Sequence, residues 1–545
     1  MLEKEFNLLH EPWIMVMRKD GGTQEISMLE LFRKASEYRS LAGELPTQDI
    51  AILRLLLAVL HAVFGRYDIN GTFAPPKSPQ AVLERWKALW DKGSFPMEII
   101  EKYLLHFEER FYLFHPEHPF YQVSKKEKFE KDPTGYKASK LNGEMAESNN
   151  KDSYRLFLQR SGHQKEFLQI SEAARWLIHV NAFDDSASKT GTGIGWLGKL
   201  GLITAVGENL FETLVLNLVL LKDGGNELWG GESPVWENEK VKREKQVVIP
   251  NNPSELLSFQ SRWIRLESEG NEVVGFEVLG GSAFSEENSF QEQMTLWRNV
   301  TKKTGPPKYI PRQHDRTRQL WRDFSVLIGH EDARTPGIVG WLVRLKEEQL
   351  IPRSHFNFMT AAIEYGEKKS AIEDVFSDSI TFSGELLTAL GESWVNKIIN
   401  EIKTTDRLVE QVVHLAKNLG KASGLDESSK DGKSKIVELQ RLAKGQAFYL
   451  INQPFRKWLK NINPLKDNSK KEEICNQWWE QARITIQDFG KEMVSQSGPQ
   501  AFIGRIEENK KTKKKYRHTA PEAYDRFLYH TSSREALNKP YKKED

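Results

Sequence analysis

Hydrophobic positions along the chain change their period several times, and each change marks an element. Phe6 to Val16 (FNLLHEPWIMV) alternates weakly, and RKDGG at Arg18 to Gly22 reads as a hairpin turn leading into Thr23 to Ile26. Apolar residues then recur at three- and four-residue spacing in Met28 to Lys34, Gln48 to Phe64 and Gln80 to Lys92. That spacing predicts helices, with the Pro75 to Pro79 stretch as the break before the third. Strand-like pieces follow at Gln246 to Ile249, Trp263 to Glu267 and Val273 to Val278, between loops rich in Gly, Asn and Glu. The polar, Gly- and Asn-containing stretch Lys125 to Lys151 reads as a mobile surface loop.

From about Ser383 the period is helical throughout. Leu386 to Leu419, Ser434 to Trp458, Lys470 to Val494 and Pro521 to Leu537 are long patterns joined by short or polar connectors. Four such helices predict an antiparallel bundle. The expected fold class is therefore α+β. A large mixed domain of small sheets and helices spans residues 1–382, and a C-terminal four-helix bundle spans 383–545.

Composition narrows the function. The 545 residues carry 78 Lys and Arg against 76 Asp and Glu, a net charge of +2 that excludes coating of nucleic acid by bulk charge. Contact with a polyanion must be local, and the tail from Arg505 onward is the basic part, with twelve Lys or Arg against seven Asp or Glu. A single cysteine, Cys475, excludes intramolecular disulfides and zinc sites built on paired thiolates, and suits a reducing compartment. Leu55 to Phe64 and Leu214 to Leu221, the longest apolar runs, are too short to span a bilayer. With no signal-peptide pattern at the N-terminus, the expectation is a cytoplasmic protein without a membrane partner.

Catalytic signatures are poor. HPEH at His115 to His118 has two histidines three apart, but its prolines make an irregular loop rather than a helical metal site. HDRTR at His314 to Arg318 lacks a neighbouring carboxylate cluster for a divalent ion and reads as a solvated turn. There is no phosphate-binding P-loop and no GxSxG elbow. No metal, no cofactor and no catalytic residue is expected.

Three other segments are more informative. KTGTGIGWLG (Lys189 to Gly198) has four glycines in ten positions, whose amides are able to approach a polyanion closely. It also fits a flexible turn. YGEKKSAI (Tyr365 to Ile372) presents Lys368 and Lys369 side by side in a glycine-containing turn, which also fits a solvated hairpin tip. KKTKKKYR (Lys510 to Arg517) fits a solubilising linker as well as a binding site.

Taken in order along nearly the whole chain, these pieces resemble the CasA family, the large subunit of the type I-E CRISPR surveillance complex Cascade. FNLLHEPWIMV resembles the family's N-terminal strand signature. FYLFHPEHPFYQV (Phe111 to Val123) resembles its Phe-rich segment, and LFLQR (Leu156 to Arg160) falls at the loop that carries an inserted phenylalanine. The glycine-rich stretch, VLNLVLL (Val215 to Leu221), LWRDFSVLI (Leu320 to Ile328) and the helical C-terminus follow in the expected order.

The resemblance implies a non-catalytic subunit that recognises the protospacer-adjacent motif (PAM) in a target duplex and wedges the strands apart. It also implies help in recruiting a helicase-nuclease. The implied partners are the crRNA-containing Cascade subunits, target double-stranded DNA and that helicase-nuclease. The family's glycine loop carries over to Lys189, Gly191, Thr192, Gly193 and Gly195, its wedge hairpin to Glu367, Lys368, Lys369 and Ser370, and its RNA and subunit docking loop to Phe157. The wedge departs from the amide-bearing tip familiar in the family. The family's minor-groove lysine has no clear counterpart, Lys302 or Lys303 being the alternatives the sequence offers. Two other readings stay open: an independent metal-dependent nuclease, and a scaffold subunit without DNA contact.

Overall fold

The Arg18 amide donates to the Gly22 carbonyl at 2.8 Å, and Gly21 takes φ +88°, a left-handed value that glycine reaches without steric cost. This is the expected turn, and it joins the antiparallel strands Ile14–Arg18 and Thr23–Ile26, with Tyr38–Leu41 on the other side of the first strand. The computed structural model describes residues 6–129, 131–145, 154, 160–185, 193–238, 250, 252–284, 290–301, 308–330, 333–366, 371–508 and 515–540. The chain divides into two units, Met1–Ile380 and Thr381–Asp545.

The core of the first unit is the helix Pro46–Phe64, which is apolar on all sides and therefore buried on all sides. The helices Ile170–Phe183, Met97–His106, Leu210–Leu216 and Pro253–Leu257 pack around it. Its apolar run Leu55 to Phe64 is by itself too short to span a bilayer. The full helix of 19 residues is long and apolar enough, yet 94% of its most apolar window is buried inside the protein. It is a core helix. Its one charged residue in the middle, Arg54, is 2% exposed and makes a bidentate pair with the buried Glu292, at 2.8 and 2.9 Å. Burial alone would raise the Glu292 carboxyl; Arg54 outweighs it and holds the group below its ordinary pKa.

The helices Met28–Lys34 and Pro79–Lys92 begin where serine side chains cap them, Ser27 accepting from the Glu30 amide and Ser78 from the Ala81 amide, both at 3.2 Å. The strand Glu272–Gly280 pairs with Arg262–Glu269, Thr134–Lys137 and Leu168–Gln169. The long strands His355–Tyr365 and Ile372–Ser383 form a hairpin extended by Thr204–Val206. The predicted strand at 246–249 lies outside the described residues. The predicted loop Lys125 to Lys151 is corrected in its middle. Thr134–Lys137 is a paired strand, and the short helix Ala138–Leu141 is buried, because Lys140 finds a buried partner in Asp185 at 3.0 Å.

The second unit is helical, with Glu392–Ala422 against Lys430–Asn461, Lys471–Ser495 and Ala520–His530. Trp394, Phe455, Trp478 and Phe527 fill its core. The first predicted helix starts later than its apolar period suggests. Two 3₁₀ turns precede Glu392, and Gly391 lies so close to the Glu385 carbonyl that a Cβ there would come within 2.2 Å. The last predicted helix is broken after His530, where Ser533 caps a separate turn Arg534–Leu537. A small antiparallel hairpin, Arg505–Glu508 with Lys515–His518, was not foreseen from the basic tail.

Candidate nucleic-acid interface

The glycine-rich segment leaves the C-terminal end of the Ile170–Phe183 helix, and its neck is closed by one arginine. Arg262, on the neighbouring strand, donates from Nε to Asp184 Oδ2 at 2.6 Å. Its Nη2 donates to the Asp184 carbonyl at 3.0 Å and to the Gly193 carbonyl at 2.6 Å. A second tie is the Gly195 amide, which donates to the same Asp184 carbonyl at 3.0 Å. Arg262 and Asp184 are 1% and 4% exposed, so the pair is a desolvated fixed point. Asp184, Gly193 and Gly195 are therefore held at one spot.

Glycine is required at three of the described positions. Gly193 has φ +70°. At Gly195 a Cβ would lie 2.3 Å from the Ala182 carbonyl oxygen, and at Gly198 one would lie 2.3 Å from the Tyr365 hydroxyl. Tyr365 is the last residue of its strand, one position before Gly366. Its hydroxyl donates to the Phe183 carbonyl at 2.5 Å.

The second predicted loop starts from this same place. The Gly366 amide donates to the Ala371 carbonyl at 2.9 Å and ties the ends of the two strands together. Arg316 spans the two strands below, 2.7 Å from Glu364 and 3.5 Å from Asp374. These ion pairs are half exposed and worth little in stability. Thus the bases of the two loops are joined by Tyr365, Phe183 and Gly198.

Among the predicted residues, Gly193 and Gly195 fall in the described chain and are placed as above. Lys189, Gly191, Thr192, Phe157, Glu367, Lys368, Lys369, Ser370, Lys302 and Lys303 lie outside the described residues. Tyr154 and Arg160 flank the Phe157 segment. Lys165 Nζ stands 5.5 Å from the Tyr154 ring, and Arg160 pairs with Glu172 at 2.5 Å. Arg262, Asp184 and Tyr365 were missed as positioning residues. The visible signal was Asp184-Asp185 just ahead of the glycine-rich segment and Tyr365 just ahead of Gly366.

The two histidine motifs have other uses. His115 Nδ1 accepts from the amides of Glu117 and His118 at 3.1 and 2.9 Å, and its ring stacks on His118 at 5.7 Å. The His314 ring nitrogen Nε2 bonds the Leu202 carbonyl at 2.8 Å, and burial lowers its pKa. Among the described residues no three His, Cys, Asp or Glu side chains assemble into a metal-binding group. Cys475 is buried, and that burial raises its thiol to about 11.

The family model described as CRISPR-associated protein Cse1 matches residues 7–489. The chain belongs to the Cse1 family. The Cse1 member of Thermus thermophilus, described as CRISPR-associated protein CasA/Cse1, is 28% identical over 455 residues, covering 81% of this chain and 83% of the relative. The crystal structure of Thermobifida fusca Cse1 superposes with a TM-score of 0.78 at 27% identity, over 98% of this chain and 99% of that one. A chain of a CRISPR RNA-guided surveillance complex shares the Cse1 fold at a TM-score of 0.61 and 16% identity, over 90% of this chain and 99% of that one. The α+β architecture with a helical C-terminal unit is thus the Cse1 architecture.

Proposed function

We propose that this chain is the large subunit of a type I-E CRISPR RNA-guided surveillance complex, and that it reads the PAM in target duplex through its glycine-rich segment. The observation that carries this reading is the shared base of the two loops. A groove-reading loop and a strand-separating tip act on adjacent base pairs only if they are held at a fixed separation, and the Tyr365–Phe183–Gly198 contact supplies that rigidity. Family membership and the RNA-guided complex among the fold's neighbours support the same reading.

In this function the chain does no covalent chemistry. It reads a short groove pattern by backbone amides and cations, which in the minor groove mainly separates A·T from G·C. It then opens the duplex at Glu367 to Ser370, so that base pairing with the guide carries the remaining specificity, and it helps recruit a helicase-nuclease. The Phe157 segment docks against the RNA-bearing subunits.

The deciding experiment is a PAM-library binding assay on the reconstituted complex with and without this chain. PAM preference that appears only with the chain supports the reading. Equal preference without it leaves a scaffold, and Mg²⁺-dependent cleavage by the purified chain points to a nuclease.

A further inference from the structure

A third segment meets the two loop bases at Phe183 to Asp185. Arg262 holds Asp184, and the next residue is held from another element: Lys140 Nζ lies 3.0 Å from Asp185 Oδ1, with the two side chains 6% and 3% exposed. Lys140 sits in the single turn Ala138–Leu141, which continues directly from the strand Thr134–Lys137. That strand and the strand of Arg262 pair with the same neighbour, Lys137 opposite Gly275 and Arg262 opposite Gly280. Two consecutive carboxylates are thus each claimed by a cation rooted in one sheet.

The turn that carries Lys140 leads toward Phe157. The Gly143 amide donates to the Lys140 carbonyl at 3.2 Å, and the Met145 amide donates to the Ser139 carbonyl at 2.9 Å. Met145, 4% exposed, forms an antiparallel bridge with Tyr154, three positions before Phe157. Described contacts therefore run from Tyr154 through Met145, Ser139 and Lys140 to Asp185. From there they continue through Asp184 and Arg262 to the Gly193 carbonyl.

A Lys–Asp pair this deep contributes little net stability, because desolvating the two charges offsets their attraction, and apolar residues of similar volume would serve as well. Its hold is geometric. If either partner shifts, a charge is left buried without its counter-ion, so the pair resists any displacement of Lys140 from the corner. Burial raises the Asp185 pKa, Lys140 opposes that rise and Asp184 adds to it.

We propose that Lys140 and Asp185 are positioning residues that couple seating of the chain in the complex to reading of the PAM. A docked Phe157 segment fixes Lys140, and Lys140 fixes the Asp184–Asp185 corner that Gly193 and Gly195 are tied to. The inference rests on the roles given above to the Phe157 and glycine-rich segments. Coupling of this kind is reciprocal, so PAM duplex must tighten seating by the same factor as seating tightens PAM binding.

The test titrates the full chain into the crRNA-bearing subunits assembled without it, with and without a short PAM duplex that does not match the guide. For the wild type the duplex should tighten incorporation about fivefold or more, and the assembled chain should bind that duplex more tightly than the free chain by the same factor. Lys140→Met with Asp185→Leu removes both charges and leaves no orphan, so the fold should persist. That variant should still incorporate and still bind duplex lacking a PAM, while the factor falls to about one. Asp185→Asn keeps the size and an acceptor for Lys140; it should lower the factor part-way and serves if the double variant does not fold. A purely structural pair would change the melting temperature and leave the factor alone, which overturns the inference. So does a wild-type factor of one in a complex that prefers its PAM. A wild-type complex with no PAM preference overturns the reading of the glycine-rich segment itself, and the coupling with it.

Discussion

The hydroxyl of Tyr365 and the carbonyl of Phe183 are joined by a 2.5 Å hydrogen bond, across 182 residues of sequence. One group ends the helix that feeds the glycine-rich segment, and the other ends the strand that feeds the lysine hairpin. Burial and the nearby Asp185 and Asp184 carboxylates push the Tyr365 phenol well above its ordinary pKa, so it stays protonated and remains a donor.

Tyr365→Phe removes this bond and keeps the ring against Gly198. The expected loss of stability is about 1–3 kcal/mol, from leaving a buried carbonyl unpaired. In the reconstituted complex, strand opening beside the PAM should slow more than duplex binding weakens. Denaturant titration and a base-analogue fluorescence assay measure the two. Unchanged opening in a destabilised variant would show that the bond serves the fold alone.

Gly193 and Gly195 should separate cleanly. Alanine at Gly193 meets only the flexible Lys199 side chain at 3.8 Å, so its cost is the strain of positive φ, about 1 kcal/mol. Alanine at Gly195 collides with the backbone at Ala182, which cannot yield locally, and should cost about 3 kcal/mol. Thermal melting of the two single variants decides it; equal melting points would contradict the close approach at Gly195.

Lys368→Ala with Lys369→Ala tests the wedge. Each lysine that neutralises a phosphate contributes about 0.9 to the log–log salt slope, so the pair should flatten it by up to roughly two. A wedge acts after encounter, so a pre-melted bubble beside the PAM should restore much of the lost opening. A double variant that opens intact duplex at the wild-type rate would leave these lysines as a solvated tip.

Stability should fall as pH rises from about 4.5 to about 7, through Glu232. Its side chain is 4% exposed, and burial raises its carboxyl from 4.5 to about 7. His61, 4.0 Å away, offers no counter-charge, because burial drives its own pKa down to about 3 and leaves it neutral. The folded state therefore holds a proton that the unfolded state releases within this window, and unfolding becomes easier by about 3 kcal/mol across it. Glu232→Gln should reduce that slope in denaturant titrations at several pH values, leaving the part from Asp49, which burial raises from 3.8 to about 7 and which acts in the same direction. A slope unchanged by the substitution would assign it to other groups.

Much of the fold was readable because local rules and packing agree. The Arg18 to Gly22 turn, the serine-capped helices and the helical C-terminal region all follow from residue spacing. Failures came where a contact outside the helical or strand period decides. Lys140 looked like loop polarity until Asp185, 45 residues away, buried it. Gly391 looked compatible with a continuing helix until the Glu385 carbonyl took the space beside it. The glycine-rich segment and the lysine turn were visible as candidates, but their common base was not. Tyr365 and Phe183 meet through tertiary packing, which no period along one stretch of chain encodes.

The Arg54–Glu292 pair has a consequence in time. The two residues lie 238 positions apart, so the arginine emerges from the ribosome long before its counter-ion exists. At about 5–20 residues per second the gap is on the order of 10–50 s. Throughout it the nascent chain carries a strongly apolar helix with an uncompensated charge at its centre, unable to finish a core. The first unit must then close late, after residue 292 is made, and chaperone holdases have a defined interval in which to act. Ribosome-bound chains stalled before Glu292 should stay protease-sensitive in the Pro46–Phe64 helix, and chains stalled well beyond it should become resistant.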